Sequence, residues 1–183
     1  MKKTLVIGGT GMLGGVVEYL VQKGDNVTVL TRSIDKFQRM LSKHNLKPED
    51  VSFIPADYFN TDALVQVLNA HIKMNGPFDQ AVVWMRSTAV ESHDALLSVL
   101  GGQSQPVEIF KVNGSAASRS KLLFPKQQSI NMHHIILGFK IENGESRWLT
   151  NEEISEGVIS ALTAGVPVTI TGVTEPWEKR PGY

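Results

Sequence analysis

The stretch Leu5-Val6-Ile7-Gly8-Gly9-Thr10-Gly11-Met12-Leu13-Gly14 decides how this chain is read. Its first three residues form a continuous apolar run, the pattern of a strand buried on both faces of a sheet. Five glycines then fall between Gly8 and Gly15, and Met12, Leu13, Val16, Val17, Leu20 and Val21 recur at helical spacing until Gly24 closes the helix. Strand, glycine turn and helix arrive in the order that suits a diphosphate. Glycines let backbone N–H groups approach the anion, and the helix N-terminus adds unpaired donors and a favourable dipole. Two registers fit, Gly9-x-Gly11-x-x-Gly14 and Gly8-x-x-Gly11-x-x-Gly14, and Gly11 and Gly14 serve both. Gly14 is expected to let the helix pack close to the strand. A tight turn without a ligand is the plainer alternative.

Outward from that loop, short apolar runs alternate with helical patterns, as in a parallel sheet covered on both faces. Strands are expected at residues 26–31, 51–54, 78–85, 107–112, 133–141 and 168–171, and helices at 33–44, 61–72 and 88–100. Either Asn60 or Thr61 caps the second of these helices. Residues 113–131 are polar and aperiodic and read as a loop with at most a turn of helix. Asn143-Gly144 marks a tight turn into Ser146-Arg147-Trp148-Leu149. Thr150-Asn151-Glu152-Glu153 is a capping box for a last helix whose apolar face is Ile154, Val158, Ile159 and Leu162, with Trp148 as its anchor. The tail, 175–183, is expected on the surface. The implied fold is α/β, a Rossmann-type three-layer αβα arrangement around a doubly wound parallel sheet of six or seven strands, in an order such as 3-2-1-4-5-6. One domain spans residues 1–183.

Composition agrees with a single domain. A chain of 183 residues, 42% of them hydrophobic, can remove roughly 70% of its unfolded surface from water and build a core without staples. There is no cysteine, which excludes a disulfide framework, a thiolate metal site and a cysteine nucleophile and suits a reducing cytoplasm. Eighteen basic and eighteen acidic residues balance to zero, against nucleic acid as the main partner. Met1-Lys2-Lys3 and the apolar run after it imitate a signal peptide, but the glycines and Glu18 break the pattern. No apolar run approaches the roughly 18 residues needed to cross a bilayer. The expectation is a soluble, cytoplasmic protein with a small-molecule substrate and no membrane or nucleic-acid partner. A homo-oligomer is compatible with it.

The end of the second strand bears on which dinucleotide the loop takes. An NAD site places an acid there, whereas an NADP site places an arginine for the extra phosphate. This chain has Thr31-Arg32-Ser33, so NADP is preferred: Arg32 can clamp a phosphate bidentately, and Thr31 and Ser33 can donate to it. Asp35 nearby keeps NAD open, and Arg32 also reads as an ordinary surface charge. Asp57, followed by Tyr58, ends the third strand, where it can either accept from an adenine amino group or cap the next helical region. Trp84-Met85-Arg86-Ser87 ends the fourth strand, on the nicotinamide side. Trp84 reads equally as core, and Ser87 as a cap. His133-His134 begins the sixth strand, one expected in the core and one exposed, since successive strand residues face opposite sides. Their spacing matches no zinc motif, and no metal site is expected.

On Gly8 to Gly14, Thr31-Arg32-Ser33 and Asp57 the chain resembles the short-chain dehydrogenase/reductase superfamily in its atypical and extended branches, over residues 3–118. The resemblance implies cofactor contacts at Gly8, Gly11, Gly14, Arg32 and Asp57. With their neighbours the cofactor set becomes Gly8, Gly9, Thr10, Gly11, Met12, Leu13, Gly14, Thr31, Arg32, Ser33, Asp57, Tyr58 and Trp84. It also implies a catalytic serine after the fifth strand, a place Ser115 fills. The family's Tyr-x-x-x-Lys pair does not follow. Tyr19-Leu20-Val21-Gln22-Lys23 matches the pattern but lies on the first helix, leading away from the phosphate end, and Tyr58 and Tyr183 have no lysine partner. Lys121 and Lys126 sit in the loop where the family has a long helix. The activity implied is an NADP(H)-dependent oxidoreductase passing hydride to a small carbonyl-type acceptor. The alternative is a non-catalytic dinucleotide-binding redox sensor or regulator.

Overall fold

The computed structural model describes residues 1–182. The elements follow one another as β1 (Lys3–Ile7), α1 (Gly14–Gln22), β2 (Asn26–Thr31), α2 (Ile34–Lys43), β3 (Val51–Pro55), α3 (Thr61–Asn75) and β4 (Gln80–Val83). After these come α4 (Val90–Gly101), β5 (Val107–Asn113), β6 (Ile130–Leu137), β7 (Phe139–Glu142), β8 (Glu145–Trp148), α5 (Asn151–Ala164) and β9 (Val168–Thr171). Seven strands pair in the order β3-β2-β1-β4-β5-β6-β9, every pair parallel. The expected 3-2-1-4-5-6 order is therefore present, extended by β9. Strand order reverses between β1 and β4, and the crevice that opens outside the strand C-termini at such a point is where ligands bind on sheets of this type.

Alternation along β1 divides the core. Val6 joins Val17 of α1, Met40 of α2 and Val158 of α5 on one face, while Leu5 and Ile7 join Leu64 and Leu68 of α3 and Leu96 of α4 on the other. Gly9, rather than Gly14, permits the close approach of α1 to the sheet: a Cβ there would meet Val17 at 3.0 Å and Val6 at 3.1 Å. Gly14 instead faces His44 at the end of α2, whose Nε2 would lie 2.6 Å from an added Cβ.

Other expectations are corrected at element ends. The sixth strand does not run through 133–141 but stops at Leu137. At Gly138 the backbone of Val173 crosses so closely that a Cβ would overlap its carbonyl, and Val173 exchanges two backbone hydrogen bonds with Phe139. The chain bends there into the antiparallel β7–β8 hairpin. Because β6 starts at Ile130, His133 and His134 lie inside the strand, and both are buried, against the expectation of one exposed. His133 stacks on Phe110 and donates from Nδ1 to the Val166 carbonyl, while His134 donates from Nε2 to the Leu123 carbonyl at 3.0 Å. A sheet covered on both faces buries both directions of the pleat. Ser87 is exposed and caps nothing; Ala89 occupies the N-cap of α4. Asn60, not Asp57, caps α3, accepting from the Ala63 N–H at 3.1 Å. Among the described residues no helix is long and apolar enough to cross a membrane.

Candidate functional site

The turn after β1 presents backbone rather than side chains. Gly8 has φ +89°, and a Cβ there would lie 2.9 Å from that of Trp84. A Cβ on Gly11 would meet nothing within 4 Å. The N–H groups of Met12 and Leu13 have no protein acceptor among the described residues, no side chain caps α1, and its first turn carries no acid. Such an end leaves donors and positive dipole for an anion.

Two cavities lie along the C-terminal edge of the sheet. The first, about 270 Å³, brings together Gly8, Thr10, Thr31, Arg32, Asp57 and Tyr58, residues read from the sequence as cofactor contacts. It adds Lys36, Phe59 and Arg86. Lys36 lies one helical turn beyond Ser33 and Arg86 just past the end of β4, so the signal for both was proximity to strand ends already singled out. Arg32 Nη1 donates to Asp57 Oδ2 at 3.3 Å, and Asp57 Oδ1 accepts from the Phe59 N–H at 3.0 Å. Ser33 accepts from the Lys36 N–H and so caps α2.

The second cavity, about 280 Å³, is lined by Met12, Trp84, Ser115, Leu137, Trp148 and Ile154 among others. Sequence reading put Trp84 with the nicotinamide half, and the structure groups it with Ser115. Leu13 is fully buried in the core and Gly14 is buried against His44 at the end of α2, and neither lines either of these two cavities. Ser115 is only 4% exposed, in a short 3-10 turn (Ser115–Arg119) where the resembled family has its long helix. Its Oγ accepts from Nε of Arg180 at 2.8 Å. Arg180 stacks over Trp148 and Trp177, and Trp177 also receives Arg119. The described part of the tail lies on the surface as expected, and through Arg180 it also reaches Ser115, a contact that no local pattern signals. Tyr183, also assigned to that tail, lies outside the described residues. Tyr19 and Lys23 stay together at the end of α1, and neither lines either of these two cavities. Lys121 and Lys126 are exposed.

The hairpin that carries Trp148 is braced by charge. Arg147 donates two hydrogen bonds to Glu142 and two to Glu153, and Glu153 also accepts from the Thr150 N–H in the capping box read from sequence. Hydrogen bonds from Arg147, then Lys140, hold the Glu153 carboxyl well below the usual carboxylate range. Ser155 of α5 donates to the Met12 carbonyl at 3.0 Å, tying the last helix to the glycine loop. On the opposite face of the sheet, Lys111 and His134 are register partners. Burial lowers the pKa of each, and the nearby Lys111 charge adds to the effect on His134.

No protein-family model matches the chain, and a search of curated proteins finds no match. Solved structures do match. An alcohol dehydrogenase from the archaeon Thermococcus sibiricus, complexed with 5-hydroxy-NADP, superposes with TM-score 0.64 at 15% identity over 99% of this chain and 99% of its own. A short-chain type dehydrogenase/reductase from Mycobacterium ulcerans gives TM-score 0.68 at 16% identity over 92% of this chain and 87% of its own. Pseudomonas aeruginosa RhlG, in an NADP active-site complex, gives 0.66 at 14% over 93% and 94%. At such identities the likeness establishes the Rossmann-type α/β fold.

Proposed function

We propose that the chain binds NADP(H) along the C-terminal edge of its sheet and acts as an oxidoreductase toward a small carbonyl-type acceptor. One observation carries this: the first cavity gathers the Gly8 and Thr10 turn with the cations Arg32, Lys36 and Arg86, against the single acid Asp57. That surplus of positive charge, beside a helix N-terminus with unused donors, suits a dinucleotide bearing an extra ribose phosphate. Backbone groups from Gly8 to Gly14 hold the diphosphate. Arg32, Thr31 and Ser33 face the ribose phosphate, Asp57 and Tyr58 the adenine side, and Trp84 the nicotinamide side. When bound, the reduced nicotinamide supplies hydride. Ser115 is the candidate donor of a hydrogen bond to the acceptor. The neighbours that carry NADP or its derivative support the cofactor, and the dehydrogenases and reductases among them support the reaction class.

A second reading, a redox sensor that binds the dinucleotide without turnover, is favoured by one feature. Among the described residues no α-helix joins β5 to β6 and no tyrosine lines the second cavity. Calorimetric titration with NADP+ and NAD+ tests the shared premise, with NADP+ expected to bind at least tenfold tighter. No binding of either at millimolar concentration removes both readings. NADPH oxidation with a panel of aldehydes, ketones and quinones separates them, since a sensor gives no turnover with any.

A further inference from the structure

We propose that β9, the open edge of the sheet, pairs with itself: two copies of the chain join through antiparallel β9 strands, with Thr169 of each facing Thr169 of the other across a two-fold axis. This pairing is independent of what either cavity binds.

Backbone direction comes first. In the parallel β6–β9 ladder the His134 N–H donates to the Pro167 carbonyl and the Gly138 N–H to the Thr171 carbonyl, with Ile135 the register partner of Thr169. Residues 167, 169 and 171 therefore direct their backbone groups to β6, and Val168 and Ile170 direct theirs away from the sheet. No described residue takes up those two N–H and two C=O groups. Antiparallel strands exchange hydrogen bonds at every second pair, so a partner satisfies all four if its own free groups also lie two residues apart. β9 itself meets that condition. With Thr169 on the axis, Val168 of each copy stands opposite Ile170 of the other, and each such pair exchanges two hydrogen bonds. The surface and its occupant are then one patch, as a two-fold interface requires.

The side chains agree. Thr171 packs on Gly157 of α5, so alternation along the strand turns Val168 and Ile170 to the opposite face, where they are 41% and 49% exposed. Exposed Phe124 lies beside them, its ring set edge-on to His134, the register partner of Val168. Setting Val168 against Ile170 of the other copy shelters this apolar row. Little on the edge resists such pairing. From Gly165 to Thr174 there is no charged side chain, and copies of zero net charge do not repel at long range. Pro167 sits at an inward-directed position, so its missing N–H is not on the free side. The opposite edge, β3, is guarded instead. There Pro55 holds an outward-directed position and has no N–H to offer, and Phe37 stacks on Phe53.

Sedimentation velocity and a cysteine cross-link test the pairing. Wild type is expected to sediment at twice the 20.1 kDa chain mass at micromolar concentration. Ile170→Lys, which places a charge on the free edge, should weaken the dimer about a hundredfold or more while keeping the far-UV circular dichroism of wild type. Because the chain has no cysteine, Thr169→Cys introduces a single thiol. Across the axis the two residues 169 form a non-hydrogen-bonded pair with Cα atoms about 4.5 Å apart, within reach of a disulfide. Mild oxidation should therefore turn most of Thr169→Cys into a covalent dimer and leave Ser52→Cys, at an exposed place on β3, as monomer. A wild type that stays monomeric, a dimer untouched by Ile170→Lys, or Thr169→Cys that cross-links no faster than Ser52→Cys would each overturn the proposal. If Ile170→Lys fails to fold, the cross-link decides.

Discussion

Arg32 and Asp57, from the ends of neighbouring strands β2 and β3, meet at 3.3 Å across the floor of the first cavity. Their side chains are 66% and 40% exposed, so the pair adds little to stability. That separates binding from folding in a mutant. Arg32→Ala should leave the melting temperature nearly unchanged while weakening NADP+ by about 10- to 100-fold, the loss of a charge-assisted contact worth roughly 1.5–3 kcal/mol. NAD+, lacking the extra phosphate, should be affected far less. Paired calorimetric titrations check this, and equal losses for both coenzymes would remove the assignment to NADP.

Gly8 and Gly11 lie three residues apart and should respond to substitution in opposite ways. At Gly8, φ is +89° and an added Cβ comes within 2.9 Å of Trp84, so Gly8→Ala should cost about 1–3 kcal/mol and lower the melting temperature by several degrees. At Gly11 a side chain meets no protein atom within 4 Å. Gly11→Val should melt like wild type and yet lose dinucleotide affinity, because its methyls fill the space through which a diphosphate reaches the backbone. Thermal melts with and without NADP+ distinguish the two.

The bracing of the β7–β8 hairpin makes an acid-side prediction. Glu153 has a native pKa depressed from 4.5, chiefly by hydrogen bonds from Arg147. Below pH 4.5 the unfolded chain takes up a proton that the native carboxylate refuses, so this contribution is whole above that value and is lost as pH falls through the native pKa. Urea unfolding of wild type should therefore weaken steadily below pH 4.5, and Glu153→Gln should flatten that slope.

His134 makes a prediction nearer neutrality. Burial, with Lys111 contributing, depresses its pKa from 6.5, and His71 and His93 are shifted the same way. Above pH 6.5 the imidazole is neutral in both states. As pH drops below it, the unfolded chain gains protons first and stability falls. Unfolding midpoints should be lower at about pH 5.5 than at about pH 7.5, and His134→Gln should lessen the difference.

Much of the fold is legible locally. Leu5-Val6-Ile7, the glycine turn and the spacing from Val16 to Val21 carry β1, the loop and α1 in consecutive residues, and Thr150 to Glu153 carries the start of α5. Strand ends were less legible: between His133 and Ile141 the lone glycine at 138 is the only local sign of a break, and its cause, the backbone of Val173, lies far along the chain. The same holds for His134, whose burial depends on the Leu123 segment folding over it.

The chain's own order of residues determined the parallel α/β architecture, the anion-ready turn and the basic end of β2, since periodicity, glycine freedom and charge act over a few neighbours. Tertiary structure alone decided that Trp84 belongs with Ser115, that Lys36 and Arg86 join Arg32, and that Arg180 reaches Ser115 across 65 residues. Those meetings arise from how the strands order themselves and where the tail returns. They are set by burial of the whole core, and no short window of sequence contains it.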